Sequence, residues 1–492
     1  MAASQIIAKL PKLSYFRLPP SSEPAFLPLP QPGSLAYNPP FQISDSLYAA
    51  ALDIRVPLTI AAVYAVTAKL LNKYNKSTNR RPWAISQTKA FFAFVVAHNI
   101  FLAVYSAWTW IGMVNMLRRT LANPFANTGD PSTSGWAATV DSICRMSGAP
   151  GLGNGLVYHE ASGIWLTQSS PVSPEFALTP DRNQPGRMWN EGLAFYGWLF
   201  YLSKFYEVLD TFIILAKGKY SSTLQTYHHA GAMMCMWAGM RYMSAPIWMF
   251  VFMNSFIHTL MYSYFTFTAF SVRVPTKVKR SLTSAQITQF LVGASVAMSH
   301  SFIGYTVPAT QAPGHDSDIV ASPNSAANST SPLAGRAAPT PLKAISCIAT
   351  SSETFAIWLN VLYLAPLTYL FVKFFVTSYL ARSSAESTRS AVGKGKEGVD
   401  GTIESKTRKS PAASPNAPAS LVASIATTEE EVRRRLSNVG NLAEKAGWDA
   451  AIGLEKEVYG VSAEAIDTDD SHDSPVAPAQ SNSHKSKTKH SK

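Results

Sequence analysis

The apolar run around residues 193–215 carries Lys204, Glu207 and Asp210, and the next apolar run opens with Gln225, His228 and His229. A charged group near the middle of a membrane helix costs at least about 2.5–3.5 kcal/mol by the mildest scales. Three of them, followed by a histidine pair on the adjacent run, demand a compensating environment. A polar chamber enclosed by helices supplies one, and it restricts this chain to a membrane protein with a wet interior.

Runs long enough to cross about 30 Å of hydrocarbon occur near Ile54–Leu71, Ala90–Leu117, Leu193–Leu215, Thr226–Met243, Ile247–Phe270, Ile287–Val307 and Phe355–Leu380. The expected fold class is therefore an all-α polytopic membrane protein of about seven transmembrane helices. Lys73, Lys76, Arg80, Arg81 and Lys89 fall in the first loop, Lys217 and Lys219 in the third, and Arg273, Lys277, Lys279 and Arg280 in the fifth. By the positive-inside rule these loops and the C-terminus are cytosolic and the N-terminus is lumenal. The opposite face carries Arg118, Arg119 and Arg241 as exceptions.

Three segments follow: a polar, Pro- and Ser-rich segment 1–53, a membrane domain 54–381, and a Ser-, Ala-, Lys- and Glu-rich tail 382–492 whose composition suits a disordered cytosolic extension. The net charge of +12 has no aromatic-interleaved basic groove beside it. It fits loops and a tail facing an anionic membrane surface and argues against nucleic-acid binding.

Polar side chains recur at similar depth on several spans. Glu207 and Asp210 lie in the cytosolic half of the third span, and His228 and His229 lie in the first turn of the fourth. Asn254, His258, Met261 and Tyr262 are spaced i, i+4, i+7 and i+8 on one face of the fifth. Gln286 and Gln289 stand at the cytosolic mouth of the sixth. His98 and Asn99, in the second span, suit hydrogen bonds between helices.

These residues fall in a specific pattern. Lys204-Phe-Tyr-Glu207-Val-Leu-Asp210-Thr211 resembles the KxxExxDT motif of the ELO-type very-long-chain fatty acid elongases. Gln225-Thr-Tyr-His228-His229 resembles that family's HxxHH box in a Gln-x-x-His-His variant. Asn254 to Phe265 is similar to NxxxHxxMYxYY, and Thr283 to Phe290 to TxxQxxQF. The four occur in the family's order on consecutive spans.

The resemblance implies a 3-oxoacyl-CoA synthase of the endoplasmic reticulum membrane, its helices enclosing an acyl tunnel. Acyl-CoA and malonyl-CoA are its substrates, it binds no cofactor or metal, and the reductases and dehydratase of the elongation cycle are its partners. On this reading His228 holds the acyl group as an acyl-imidazole. His258 serves malonyl decarboxylation or carbon–carbon bond formation, and His229 supports the box. Glu207 and Asp210 orient rings, while Lys204, Gln225, Asn254, Tyr262, Gln286 and Gln289 contact substrate or donate to the enolate. Lys204 with Glu207 also reads as a structural ion pair at i, i+3.

Two other classes share parts of this pattern. A di-iron desaturase or hydroxylase uses histidine boxes, but it needs about eight histidines and no glutamine in a ligand position. A seven-helix transporter binds through polar residues without reacting.

Outside the motifs, Cys144 and Cys347 both fall in lumenal loops, where oxidising conditions favour a disulfide. Cys235 reads as a small buried hydrophobe. Asn328-Ser329-Thr330 is a glycosylation sequon in the sixth loop. Ser437 follows Arg433-Arg434-Arg435-Leu436, a pattern of basic-directed kinase substrates. A phosphate there would add about −1.5 to −2 charge and weaken tail docking on anionic lipid.

Overall fold

A computed structural model describes residues 5–21, 26–126, 133–309 and 341–376. Asn328, Ser437 and the rest of the tail lie outside the described residues.

Among the described residues ten α-helices follow in chain order: α1 (Asp45–Ala51), α2 (Arg55–Ser77), α3 (Lys89–Thr120), α4 (Trp136–Cys144), α5 (Ala194–Tyr206), α6 (Val208–Ala216), α7 (Thr223–Arg241), α8 (Ile247–Ala269), α9 (Thr276–Ser299) and α10 (Ser351–Phe375). Helices α3 and α10 are long and apolar enough to cross a membrane. A third candidate is the pair α1 and α2, bent by 47° at the break between them. The other four expected spans fall on α5–α6, α7, α8 and, in its first part only, α9, where polar side chains or a break interrupt the apolar run. α3 packs on α8, α7 on α2, α5 and α10, and α9 on α8 and α10.

Local sequence explains several boundaries. Ser222 caps α7 by accepting from the Gln225 N–H, and Thr350 with Glu353 forms a capping box at the start of α10. Ahead of α5 lies a π turn, Trp189–Leu193, kinked at Gly192 with φ 133°, a conformation that glycine adopts without the steric penalty of a Cβ.

The third apolar run is broken. α5 ends at Tyr206 and α6 begins at Val208, with Glu207 as the joint. The sixth run, expected over Ile287–Val307, is divided differently. Its first part belongs to α9, which starts eleven residues earlier at Thr276, and its end forms a β-strand. A half-buried strand and a helix end look alike in a hydropathy window.

That strand, β4 (Ile303–Pro308), is central in a three-stranded antiparallel sheet. Its neighbours are β1 (Ile6–Ala8), with Ile7 opposite Gly304, and β5 (Leu342–Ser346), with Tyr305 opposite Ile345. A separate hairpin joins β2 (Leu156–His159) to β3 (Ile164–Thr167). The segment before Ile54 thus supplies a strand and, through Leu27, Leu29, Tyr48 and Leu52, part of the main core.

The sheet end is tied together covalently and by charge. The sulfurs of Cys144 and Cys347 are bonded at 1.99 Å, and Cys235 is free and buried. Next to the bond, Arg145 donates to the carbonyls of Ser346 and Cys347. Arg187 pairs with Asp141 at 2.7 Å and donates to the carbonyls of Ala149, Asp141 and Gly151. Burial pushes the Tyr305 phenol up from its ordinary pKa, which keeps it a donor, and it gives Asp141 a further bond of 2.9 Å.

Candidate active site

At the other end of the helices a cavity of about 1150 Å³ opens. Its lining includes Glu207, Asp210, Gln225, His228, His229, Asn254, His258, Tyr262, Gln286 and Gln289. Of the eleven intramembrane site residues expected from sequence, only Lys204 does not line it. Lys217, Lys219 and Arg273, from the loops α6–α7 and α8–α9, and Lys279, from the first turn of α9, also line it.

Lys204 supports the wall from behind. It is buried, and its Nζ donates to Glu207 Oε1 at 2.7 Å and to Asn254 Oδ1 at 3.0 Å. The i, i+3 pair is therefore also a bridge from α5 to α8. Ser203 Oγ adds a third donor to Glu207 Oε1, at 3.2 Å. His258 Nδ1 approaches the same oxygen to 3.4 Å, but the ring is not aligned for a hydrogen bond. Glu207 lies at the joint between two helices and can serve both residues.

Asp210 sits past the joint and belongs to a second group. Oδ1 lies 2.8 Å from His98 Nε2, and Oδ2 accepts from the Tyr262 hydroxyl at 2.6 Å. His98, from α3, thus has a defined place against the motif carboxylate. Its ring stacks on Tyr206.

The α7 residues face a third direction. Gln225 Nε2 donates to Thr211 Oγ1 at 3.1 Å, and Thr211 also contacts the Tyr64 hydroxyl at 2.8 Å. His229 is buried and packs edge-on to Tyr64, with ring centroids 6.1 Å apart. His228 is half-buried; its Nδ1 lies 3.0 Å from the hydroxyl of Tyr363, a residue of α10. Gln286 Nε2 reaches Met261 Sδ at 3.5 Å, and the buried Gln289 Oε1 has no hydrogen-bond partner among the described residues.

Sequence reasoning missed the partnership of Tyr363 with His228. Tyr363 is one aromatic residue on an apolar span, 135 residues from the histidine it touches, and no spacing rule reaches it. His98 was legible as a polar group in a span, but its pairing with Asp210 was not. Among the described residues no group of three His, Cys, Asp or Glu side chains is placed to hold a metal ion.

The helices thus enclose a cavity lined by imidazoles, carboxylates and carboxamides. The chain belongs to the ELO family (GNS1/SUR4), which matches residues 49–387. It is similar to fatty acid elongase sre1 of Dictyostelium discoideum, 35% identical over 122 residues, covering 25% of this chain and 44% of the relative. Fatty acid elongase 2 of Trypanosoma brucei brucei is 30% identical over 119 residues, 24% and 44% of the two chains. Very long chain fatty acid elongase 3 of Homo sapiens is 33% identical over 109 residues, 22% and 40%. The matches span less than half the length of these relatives. No solved structure matches the chain.

Proposed function

We propose that this protein is a membrane 3-oxoacyl-CoA synthase that condenses a long-chain acyl-CoA with malonyl-CoA, releasing CO2 and CoA. Membership of a family whose relatives are named fatty acid elongases supports chain elongation. The observation that carries the finer reading is the gathering of His228, His258, Glu207 and Asn254 on one cavity.

The chemistry follows from these groups. A His228 ring nitrogen attacks the acyl thioester; a C–N bond forms, the C–S bond breaks, and the electron pair leaves on the CoA sulfur. Malonyl-CoA then loses CO2 beside His258 and Asn254, whose polar atoms face the developing enolate in a site shielded from bulk water. The enolate carbon takes the acyl group, and the C–N pair returns to the imidazole. Lys204 and Glu207 hold Asn254 and the His258 side of the wall in place. Asp210, clamped by His98 and Tyr262, fixes α3 and α8 against α6.

The same reading has the chain crossing the endoplasmic reticulum membrane seven times, with the N-terminus lumenal and the C-terminus cytosolic. The disulfide at one end of the helices and four cations at the other support this orientation. Substrates enter from the cytosol, and the reductases and dehydratase that complete each cycle take up the product.

The test is incubation of membranes containing the full chain with an acyl-CoA panel and labelled malonyl-CoA. Label should appear in 3-oxoacyl-CoA two carbons longer than the substrate. Absence of label with every acyl-CoA, from protein present in the membrane, would overturn the assignment.

A further inference from the structure

The two contacts of the Tyr363 hydroxyl have a chemical consequence. It lies 2.8 Å from the main-chain carbonyl oxygen of His228 and 3.0 Å from Nδ1 of the same residue. A carbonyl oxygen only accepts, so the single phenolic proton is committed to it. The phenolic oxygen is then an acceptor toward the ring, and Nδ1 must carry the hydrogen. In a neutral imidazole this leaves the lone pair on Nε2. Among the described residues nothing hydrogen-bonds Nε2, while His228 lines the cavity.

The phenol is held where it is by more than these bonds. Its ring stacks on Tyr227 at 5.4 Å between centroids, and the Tyr227 hydroxyl donates back to the Tyr363 carbonyl at 3.2 Å. The ring also lies over Gly231: a Cβ at that position would fall 2.1 Å from Tyr363 Cε2. Helices α7 and α10 therefore exchange two tyrosine-to-carbonyl bonds across a glycine, one turn from the reactive imidazole.

We infer that Tyr363 is a positioning residue that fixes the Nδ1–H tautomer of His228, so that Nε2 is the nitrogen that receives the acyl group. The inference rests on the acyl-imidazole reading above. When Nε2 attacks the thioester, Nδ1 keeps its hydrogen, the CoA sulfur departs as the thiolate, and the ring becomes an N-acyl-imidazolium. Its N–H donates to the phenolic oxygen throughout. The positive charge makes the acyl carbon a better electrophile for the malonyl-derived enolate, and the neutral ring returns when the C–N bond breaks. Tyr363 touches neither substrate nor reacting carbon; it acts through His228.

The test compares wild type, His228→Ala and Tyr363→Phe as full-length proteins in membranes. Acylation by labelled acyl-CoA without malonyl-CoA is measured first, then steady-state elongation. Wild type should acquire label on His228. Tyr363→Phe keeps the ring over Gly231 and should acylate more slowly. Its kcat should fall by between about tenfold and hundredfold, the range seen at metal sites when an imidazole's orienting partner is removed, with the KM for acyl-CoA unchanged. Wild type that acylates and Tyr363→Phe that acylates equally fast would overturn this inference and leave the acyl-imidazole reading standing. Wild type that never acylates would overturn both. A measurement on wild type alone does not depend on the variant folding. In 15N-histidine-labelled protein, the His228 signals, assigned by their loss in His228→Ala, should show a protonated Nδ1 and an unprotonated Nε2. The reverse tautomer would overturn the inference.

Discussion

Two buried charge clusters stand at opposite ends of these helices, and they differ in how completely their polar atoms are matched. At the sheet end, Arg187 meets a carboxylate and three carbonyls, and Asp141 takes a further bond from Tyr305. In the cavity wall, Lys204 and Glu207 are bonded, but among the described residues His258 Nδ1 and Gln289 Oε1 have no hydrogen-bond partner and His228 has one ring nitrogen unclaimed. A buried polar atom left unmatched costs about 1–3 kcal/mol. The Arg187–Asp141 pair avoids that cost, and the cavity wall bears it at His258 and Gln289.

The comparison can be broken by substitution. The largest effect is expected from His228→Ala, which should lower condensation by between about 10⁴- and 10⁶-fold, the range of loss when a member of a catalytic triad is removed, without reducing the amount of protein in the membrane. Near-normal malonyl incorporation by this variant would place the chemistry elsewhere. Asp141→Ala should act in the opposite sense. It leaves Arg187 buried without its counter-charge, and loss of one partner from a buried pair costs about 3–5 kcal/mol. Thermal unfolding in detergent should shift strongly down, while activity per folded molecule is kept.

Replacing both Cys144 and Cys347 by Ser opens a closure of 203 residues. The expected loss is about 2–4 kcal/mol of stability, again at little cost to the turnover of folded protein. Absence of a mobility change between reduced and non-reduced wild type would remove the covalent half of the fastening. The smallest effect on stability belongs to Gln289→Met. It removes a buried oxygen that has no partner among the described residues, so stability should hold or rise by up to about 1–3 kcal/mol, while elongation falls. A drop as deep as that of Asp141→Ala would erase the distinction between the two clusters.

Much of the cavity was legible because its residues are chemically out of place. Lys204, Glu207, Asp210 and the His228–His229 pair stand out in apolar runs whatever the fold, and helical spacing put Asn254, His258 and Tyr262 on one face. Partners contributed by distant apolar helices were not legible. Tyr363 looks like any interfacial aromatic, and only the packing of α10 on α7 gives it a role. The N-terminal segment shows the limit of composition. It is polar and rich in proline and serine, yet Leu29 and Tyr48 are almost wholly buried, because tertiary packing uses apolar residues wherever the chain brings them. The sixth run misled through averaging, since β4 continues the hydropathy of α9 without continuing its helix.

The joint at Glu207 also constrains how this chain can change over time. On an unbroken helix, Lys204, Glu207 and Asp210 would be locked to one rotation. With α5 ending at Tyr206 and α6 beginning at Val208, the first two meet Asn254 and His258 on α8, while Asp210 meets His98 on α3 and Tyr262 farther along α8. A single residue inserted just after the joint would turn Asp210 by about 100° and leave Lys204 pointing as before. Such an insertion would be felt as misdirected chemistry before it was felt as misfolding. At this point in the chain, the count of residues is under tighter constraint than the identity of most of them.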